Sequence, residues 1–213
     1  VKHHLYGFVS VNKTFSTGDW IKKATKKIKD INEKGKIAFV VGGTGLYFKT
    51  LTDGFSYIPS VPKPKKNFNL NKSYILRFPK IFKGVSINDK QRLQRAFLVY
   101  KYTGKPLHIW QKRNKKFFKS EEITKILLSP PKFELENRIK KRFFEMLKKG
   151  AIIETEHFKK INSNPMSSSN YIIGLREISQ FLNNEISFNK MKEKVVIRSR
   201  QYVKRQFTWQ RGQ

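Results

Sequence analysis

The sequence contains no cysteine, so disulfides, thiolate metal sites and cysteine nucleophiles are excluded. It is also poor in acid, with 15 Asp and Glu against 46 Lys and Arg. A composition rich in Lys, Asn, Ile and Phe inflates the lysine count, but bias alone does not produce a threefold excess of cations. The formal charge of +31 therefore calls for a polyanionic partner, nucleic acid first. No apolar run approaches the roughly 20 residues a membrane span needs. No signal peptide stands at the start, so no membrane association is expected and the cytoplasm is the expected compartment. Neither G-x-x-x-x-G-K-[ST] nor G-x-G-x-x-G occurs. Histidines are only four: His3, His4, His108 and His157. Neither a histidine metal site nor a Ser-His-Asp arrangement is expected from so few.

What is present is enough for a packed core: 213 residues, 38% hydrophobic and 14% aromatic. Residues 19–34 place Trp20, Ile21, Ala24, Ile28 and Ile31 at helical spacing behind a Lys-rich face, stopped by Gly35. The run "KIAFVV" (36–41) predicts a buried strand, "GGTG" a turn, and "LYFKTLTDG" a helix ending near Gly54. This order points to an α/β core with a parallel sheet. Residues 56–73, with three prolines, predict a linker or the lead-in to a subdomain. A helix is expected from Asn88, as N-cap, to Gly104, and a strand over 123–129. An amphipathic helix over 133–150 should turn Phe133, Leu135, Ile139, Phe143, Met146 and Leu147 inward. Helices over 151–161 and in "YIIGLREISQFLNN" follow, then a long terminal one from Phe188, with no internal repeat.

Three stretches carry chemistry. In "VVGGTGLY" (40–47) a glycine-rich turn opens a helix whose free N–H groups can bind an anion at Gly42 and Gly43. Thr44 sits where a hydroxyl can cap that helix or touch a phosphate; ordinary capping is the plainer alternative. In "NDKQRLQRAF" (88–97), Gln91 and Arg95 share one helix face, suited to phosphates and base edges, with Leu93, Phe97 and Leu98 on the other side. On the terminal helix, Lys194, Arg198, Gln201, Arg205 and Thr208 form one polar, mostly cationic stripe. Acids at i,i+4 spacing, which would relieve the repulsion, are missing there. Tyr202, Phe207 and Trp209 read as core or as stacking platforms, core for most of them.

In this order, "HHLYGF" with "FSTGDW", "VVGGTGLYFKTLTDG", "NDKQRLQRAFLVYKYTGKPL", "ENRIKKRFFEMLKKGAIIE", "IIGLREISQFLNNEIS" and "RSRQYVKRQFTWQRG" span nearly the whole chain. Together they resemble the tRNA dimethylallyltransferases, the bacterial tRNA isopentenyltransferase family. The resemblance implies transfer of a dimethylallyl group from dimethylallyl diphosphate to the exocyclic amine of the adenosine 3′ to the anticodon, with the base flipped out to reach the donor. It implies a P-loop-kinase-like parallel-sheet core, here residues 1–58 and 112–213, with helical C-terminal region. A reduced, mainly helical insertion at 59–111 would contact tRNA. By position, Thr44 matches the family threonine near the reacting adenosine, and Arg200 is a weaker candidate for the diphosphate. Gln91, Arg92, Leu93, Gln94 and Arg95 match one tRNA-contacting segment. Tyr171, Ile172, Ile173, Gly174, Leu175 and Arg176 match a second. Lys204, Arg205, Gln206, Phe207, Thr208, Trp209, Gln210 and Arg211 match the third.

The chain also departs from the family pattern. The resemblance places the family's P-loop, the Asp-Ser motif with the general base, and the Mg²⁺ ligands upstream of Val1, so the chain reads as a fragment. The 213-residue stretch is then expected to be inactive, or nearly so, by itself. Lys2 stands for a usual proline, and Ser199 for the usual threonine before Arg200. Residues 59–87 are short, leaving a tRNA contact near Lys66 open. A monomer is expected. The cations of the 88–103 helix and of the terminal helix are expected to converge beside Thr44. Two rivals compete: a non-catalytic basic RNA-binding protein or degenerate paralogue, and a small-molecule P-loop kinase. The first leaves "GGTG" after a buried strand without a purpose; the second leaves the basic tail without one.

Overall fold

The computed structural model describes residues 1–62, 68–165 and 167–212. Its elements, in chain order, are α1 (Thr17–Asn32), α2 (Gly45–Thr52), β1 (Phe55–Ser56), α3 (Lys72–Arg77), α4 (Lys90–Thr103), α5 (Leu107–Gln111), β2 (Asn114–Lys115), α6 (Lys132–Lys148), α7 (Ala151–Ile161), α8 (Leu175–Leu182) and α9 (Phe188–Gln210). The chain divides into two compact units, one of residues 1–48 with 124–213, the other of residues 49–123, the boundary falling inside α2. The expected limits 59–111 lie within the second unit. Among the described residues no helix is long and apolar enough to cross a membrane.

In the first unit, α1 starts at a capping box. The Ser16 hydroxyl accepts from the Asp19 N–H at 3.1 Å, and the Ser16 N–H donates to the Asp19 carboxylate at 3.0 Å. Those bonds hold the Asp19 carboxyl below its ordinary range. The helix buries Ile21, Ala24 and Thr25. Helices α6 to α9 pack around Phe143, Ala151, Ile178, Met191 and Val195, with Leu147, Ile173 and Phe181 filling the margins. On α6 the inward face is narrower than the spacing predicts: Phe143 is buried, but Phe133 and Met146 are exposed.

The two expected strands are not formed. Residues 36–41 and 123–129 lie outside any helix or strand, and Ile37, Phe39, Val41, Ile126 and Leu128 are each at least 75% exposed. An apolar run becomes a strand only when a neighbouring strand completes its hydrogen-bond ladder. Among the described residues the only sheet is β1 with β2, antiparallel, Phe55 opposite Lys115 and Ser56 opposite Asn114. The parallel sheet expected from "KIAFVV" is therefore not formed among the described residues, which are mainly helical with one two-stranded ribbon.

The second unit gathers Ile75, Ile81, Phe82, Leu93, Ala96, Val99 and Leu107 into its own core. Its longest helix, α4, is capped by Asp89 and not Asn88: the Asp89 carboxylate accepts from the Arg92 N–H at 3.0 Å. Gly104 ends the helix in the left-handed region at φ 67°. The expected contact near Lys66 lies outside the described residues.

Candidate RNA-contacting site

Within the first unit, α9 lays one face along the "GGTG" turn. Tyr202, Gln206 and Trp209, at i, i+4 and i+7, all reach it. The Gln206 side-chain amide donates to the Gly43 carbonyl at 3.0 Å. The Thr44 and Tyr202 hydroxyls meet at 3.4 Å. The Trp209 indole lies against the backbone of Gly45 and 6.4 Å from the Phe48 ring. Two glycines permit this approach. A Cβ at Gly43 would stand 1.6 Å from Gln206 Nε2, and one at Gly45 2.3 Å from Trp209 Cδ2. Gly43 is thus fixed by packing against Gln206, while Gly42 is exposed.

Thr44 itself is exposed. Its carbonyl accepts from the Tyr47 N–H at 3.0 Å and so opens α2, leaving the hydroxyl to Tyr202. Behind it, Tyr47 stacks on Trp20 of α1 at 4.3 Å and 9° between planes. Burial, then the nearby Tyr202, pushes the Tyr47 hydroxyl above its ordinary pKa, so it stays protonated at neutral pH. An exposed hydroxyl held by a second hydroxyl can hydrogen-bond a polar group of a bound base.

The remaining cations of α9 divide between two tasks. The Arg198 guanidinium donates to Glu177 at 2.7 Å, and Lys194 to Gln180 at 3.3 Å, both on α8. The Glu177 carboxylate, 3% exposed, also accepts from the Gly174 N–H at 3.2 Å. In the first half of the stripe, Lys194 and Arg198 face a neighbouring helix: the buried Glu177 carboxylate takes Arg198 as its partner, and Lys194 reaches Gln180. Gln201, Lys204, Arg205, Thr208 and Arg211 are exposed, and Thr208 returns its hydroxyl to the Lys204 carbonyl at 2.9 Å. Phe207 and Gln210 are half-buried.

Arg200 lies two residues before Tyr202, on another side of the helix. Its guanidinium donates to Glu136 of α6 at 3.3 Å, and it lines an apolar groove of about 440 Å³ between α6 and α9. The structure does not bring it to the face that carries Thr44. Of the "YIIGLR" stretch, Tyr171, Ile172 and Arg176 are exposed, Leu175 is half-buried, and Gly174 and Ile173 belong to the interior. Gly174 and Ile173 thus sit at packing positions behind the exposed residues of the stretch.

In the second unit, Gln91, Arg92 and Arg95 are exposed along α4, Arg92 pairing with Asp89 at 3.3 Å. Leu93 packs in the core, 3% exposed, as its helical spacing placed it, and the Gln94 amide donates to the Phe68 carbonyl. Glu177 is a residue that sequence reasoning left without a task, and Tyr202, read there as core or stacking platform, meets Thr44 instead. The scarcity of acids on this chain was the signal for the first; the i, i+4, i+7 spacing of Tyr202, Gln206 and Trp209 was the signal for the second.

The IPP transferase family profile matches residues 1–213. A tRNA dimethylallyltransferase of Pelagibacter ubique is 37% identical over 99% of this chain and 71% of its own length. One from Allorhizobium ampelinum is 33% identical over 100% of this chain and 74% of its own. Among solved structures, the tRNA isopentenylpyrophosphate transferase of Bacillus halodurans superposes with a TM-score of 0.67 at 24% identity, covering 100% of this chain and 69% of its own. The tRNA delta(2)-isopentenylpyrophosphate transferase of Staphylococcus epidermidis gives 0.57 at 27% identity over 94% of this chain and 69% of its own.

Proposed function

The chain belongs to the IPP transferase family, and from that premise we infer that it serves tRNA dimethylallyl transfer. In that reaction the exocyclic amine of an adenosine attacks the allylic carbon of dimethylallyl diphosphate. The carbon–oxygen bond breaks, diphosphate leaves with the electron pair, and the amine gives up a proton. The adenosine is the one 3′ to the anticodon, presented on the anticodon stem-loop. The protein functions as a monomer in the cytoplasm.

The observation that carries this reading is the joining of the "GGTG" turn to the "KRQFTW" helix. Gln206 and Trp209 seat on Gly43 and Gly45 while Thr44 stays exposed. A cationic helix anchored there delivers RNA to that hydroxyl. We assign Thr44 the role of hydrogen-bonding the adenine amine, with Tyr202 orienting it. Lys204, Arg205 and Arg211 contact phosphates, as do Gln91, Arg92 and Arg95 in the second unit. The exposed N–H side of Gly42 is the phosphate-facing part of the turn. A diphosphate contact by Arg200 requires that it release Glu136.

Mg²⁺ would neutralise the leaving diphosphate when bound. Among the described residues no three of His, Cys, Asp and Glu gather into a site for it. The residues described here therefore bind and orient, and no step is assigned to the metal.

The test is a titration with an anticodon stem-loop across a salt series. Lys204→Gln with Arg205→Gln should weaken binding and lower the slope of log K against log salt by about 0.7–0.9 for each phosphate that is no longer neutralised. Thr44→Ala should leave that slope unchanged. Salt-dependent binding that never responds to dimethylallyl diphosphate, in the longest active form of the protein, would favour a non-catalytic RNA-binding role.

A further inference from the structure

Far from the "GGTG" turn in sequence, residues 10–13 are tied to residues 161–170 by side chains whose only evident purpose is to hold a loop. The Asn12 amide does most of it. Its Nδ2 donates to the Ile161 carbonyl at 2.9 Å, and its Oδ1 accepts from the Ser163 N–H at 2.8 Å. Its main-chain carbonyl accepts from Asn164 Nδ2 at 2.7 Å. One residue back, the Val11 carbonyl accepts from the hydroxyls of both Ser167 and Ser169, the second at 2.8 Å. Asn170 closes the set. Its Nδ2 donates to the Asn164 carbonyl at 3.0 Å, and its Oδ1 accepts from Asn162 at 2.6 Å. Ser167 is fully buried by this clasp.

The next two residues behave in the opposite way. The clasped segment runs into a 3₁₀ turn, Ser168–Tyr171, and at its end Tyr171 is 74% exposed and Ile172 56% exposed. Fixing a residue's backbone costs about 1–2 kcal/mol of conformational entropy. A polar network that meets this cost for a whole loop normally delivers an apolar side chain to the core, not to water. Here it delivers a ring and an aliphatic side chain outward, five and four residues before Arg176, an exposed cation with no acidic partner among the described residues. A rigidly presented, exposed aromatic is what an unpaired nucleobase stacks on, and an exposed cation on the same segment suits the neighbouring phosphate. Rigidity matters because ordering lost on binding subtracts from affinity.

We propose that the Asn12–Ser167–Ser169–Asn170 clasp is a positioning device that pre-organises Tyr171 as a stacking platform for an unpaired base of the bound RNA. The clasp residues themselves touch no RNA. The proposal rests on the RNA-binding reading above and goes beyond it by giving Tyr171 a chemical task and Asn12 a role.

The experiment titrates the 213-residue chain with an anticodon stem-loop RNA carrying 2-aminopurine at successive loop positions. Wild type should quench one such position. Tyr171→Ala should remove that quenching and weaken binding roughly 5- to 150-fold, the value of one stacked base, with the salt slope unchanged. Tyr171→Trp should restore both. Asn12→Ala should give a smaller loss of affinity together with faster amide exchange across 167–173, whereas Tyr171→Ala should leave that exchange slow. If Tyr171→Ala binds and quenches like wild type while Lys204→Gln with Arg205→Gln weakens binding, the platform is refuted and the RNA reading stands. If Asn12→Ala speeds exchange without touching affinity, the clasp has no positioning role. If wild type itself fails to bind the hairpin, the RNA reading falls and this proposal with it.

Discussion

Gly45→Ala sets two effects of opposite sign against each other. Gly45 is the first residue of α2, where alanine is intrinsically the better helix former, by at most about 1 kcal/mol. That gain is smaller at a helix end than in its interior. Against it stands the Trp209 indole, whose Cδ2, Cγ and Cε2 would lie 2.3, 2.5 and 2.7 Å from the new methyl group. Those atoms are the fused body of a ring, not the end of a flexible chain, so either the ring or the helix carrying it must move. Overpacking of that kind costs typically 1–3 kcal/mol, which outweighs the propensity gain. For a unit of this size the net loss is a fall of roughly 3–10 °C in melting temperature. RNA affinity should fall too, because Trp209 and Gln206 seat the cationic end of α9. The decisive assay is a cycle with Trp209→Leu, read by calorimetry and by stem-loop titration. In the Trp209→Leu background, Gly45→Ala should become neutral or stabilising. An equal destabilisation in both backgrounds would refute the packing argument, since the cost would then come from α2 alone.

Glu177→Gln should destabilise the first unit by about 1–3 kcal/mol, because it leaves the half-buried Arg198 without its counter-charge; urea denaturation of wild type, both single variants and the double variant Glu177→Gln with Arg198→Met measures it, and a loss that is the same with and without Arg198 would show that the pair is not coupled. The folded-state pKa of Asp19 is depressed by its bonds to Ser16, so its contribution to α1 is present above the unfolded carboxylate value near 3.8 and is lost as pH falls through the lower folded value. Acid titration of α1 by hydrogen exchange should show that loss in wild type and not in Ser16→Ala; an identical acid profile in both would remove the cap from the account.

Helices were legible in the sequence because their signals are local. The 3.6-residue spacing of Ile21, Ala24 and Ile28, and the stops at Gly35, Gly104 and Gly150, depend on nothing outside their own segments. The absence of strands at 36–41 and 123–129 was not legible, because an apolar run of six or seven residues reads as a strand while the partner that would complete its ladder is written elsewhere. Helix faces were half legible. The periodicity placed Gln91 and Arg95 on one side of α4 and Leu93 on the other, as found. It could not distinguish a cation that meets solvent from one that meets Glu177, because the meeting depends on how α8 crosses α9.

That last distinction changes how the charge of the chain is read. On α9 the cations near the middle, Lys194 and Arg198, are consumed inside the unit by Gln180 and Glu177, while those toward the end, Lys204, Arg205 and Arg211, have no acidic partner among the described residues. The exposed end is also the end whose other face carries Tyr202, Gln206 and Trp209 onto the "GGTG" turn. One helix therefore binds its own fold with one half and leaves its electrostatic demand open in the other, next to Thr44. Repulsion among the unpaired cations is tolerable only if the helix is held by something other than charge. The Trp209 and Gln206 contacts supply that hold. Weakening them should cost RNA binding in proportion to the lost stability, whereas removing Lys204 or Arg205 should cost RNA binding while leaving stability the same or slightly higher. Variants of the two kinds falling on one common line of stability against affinity would contradict this division of the helix.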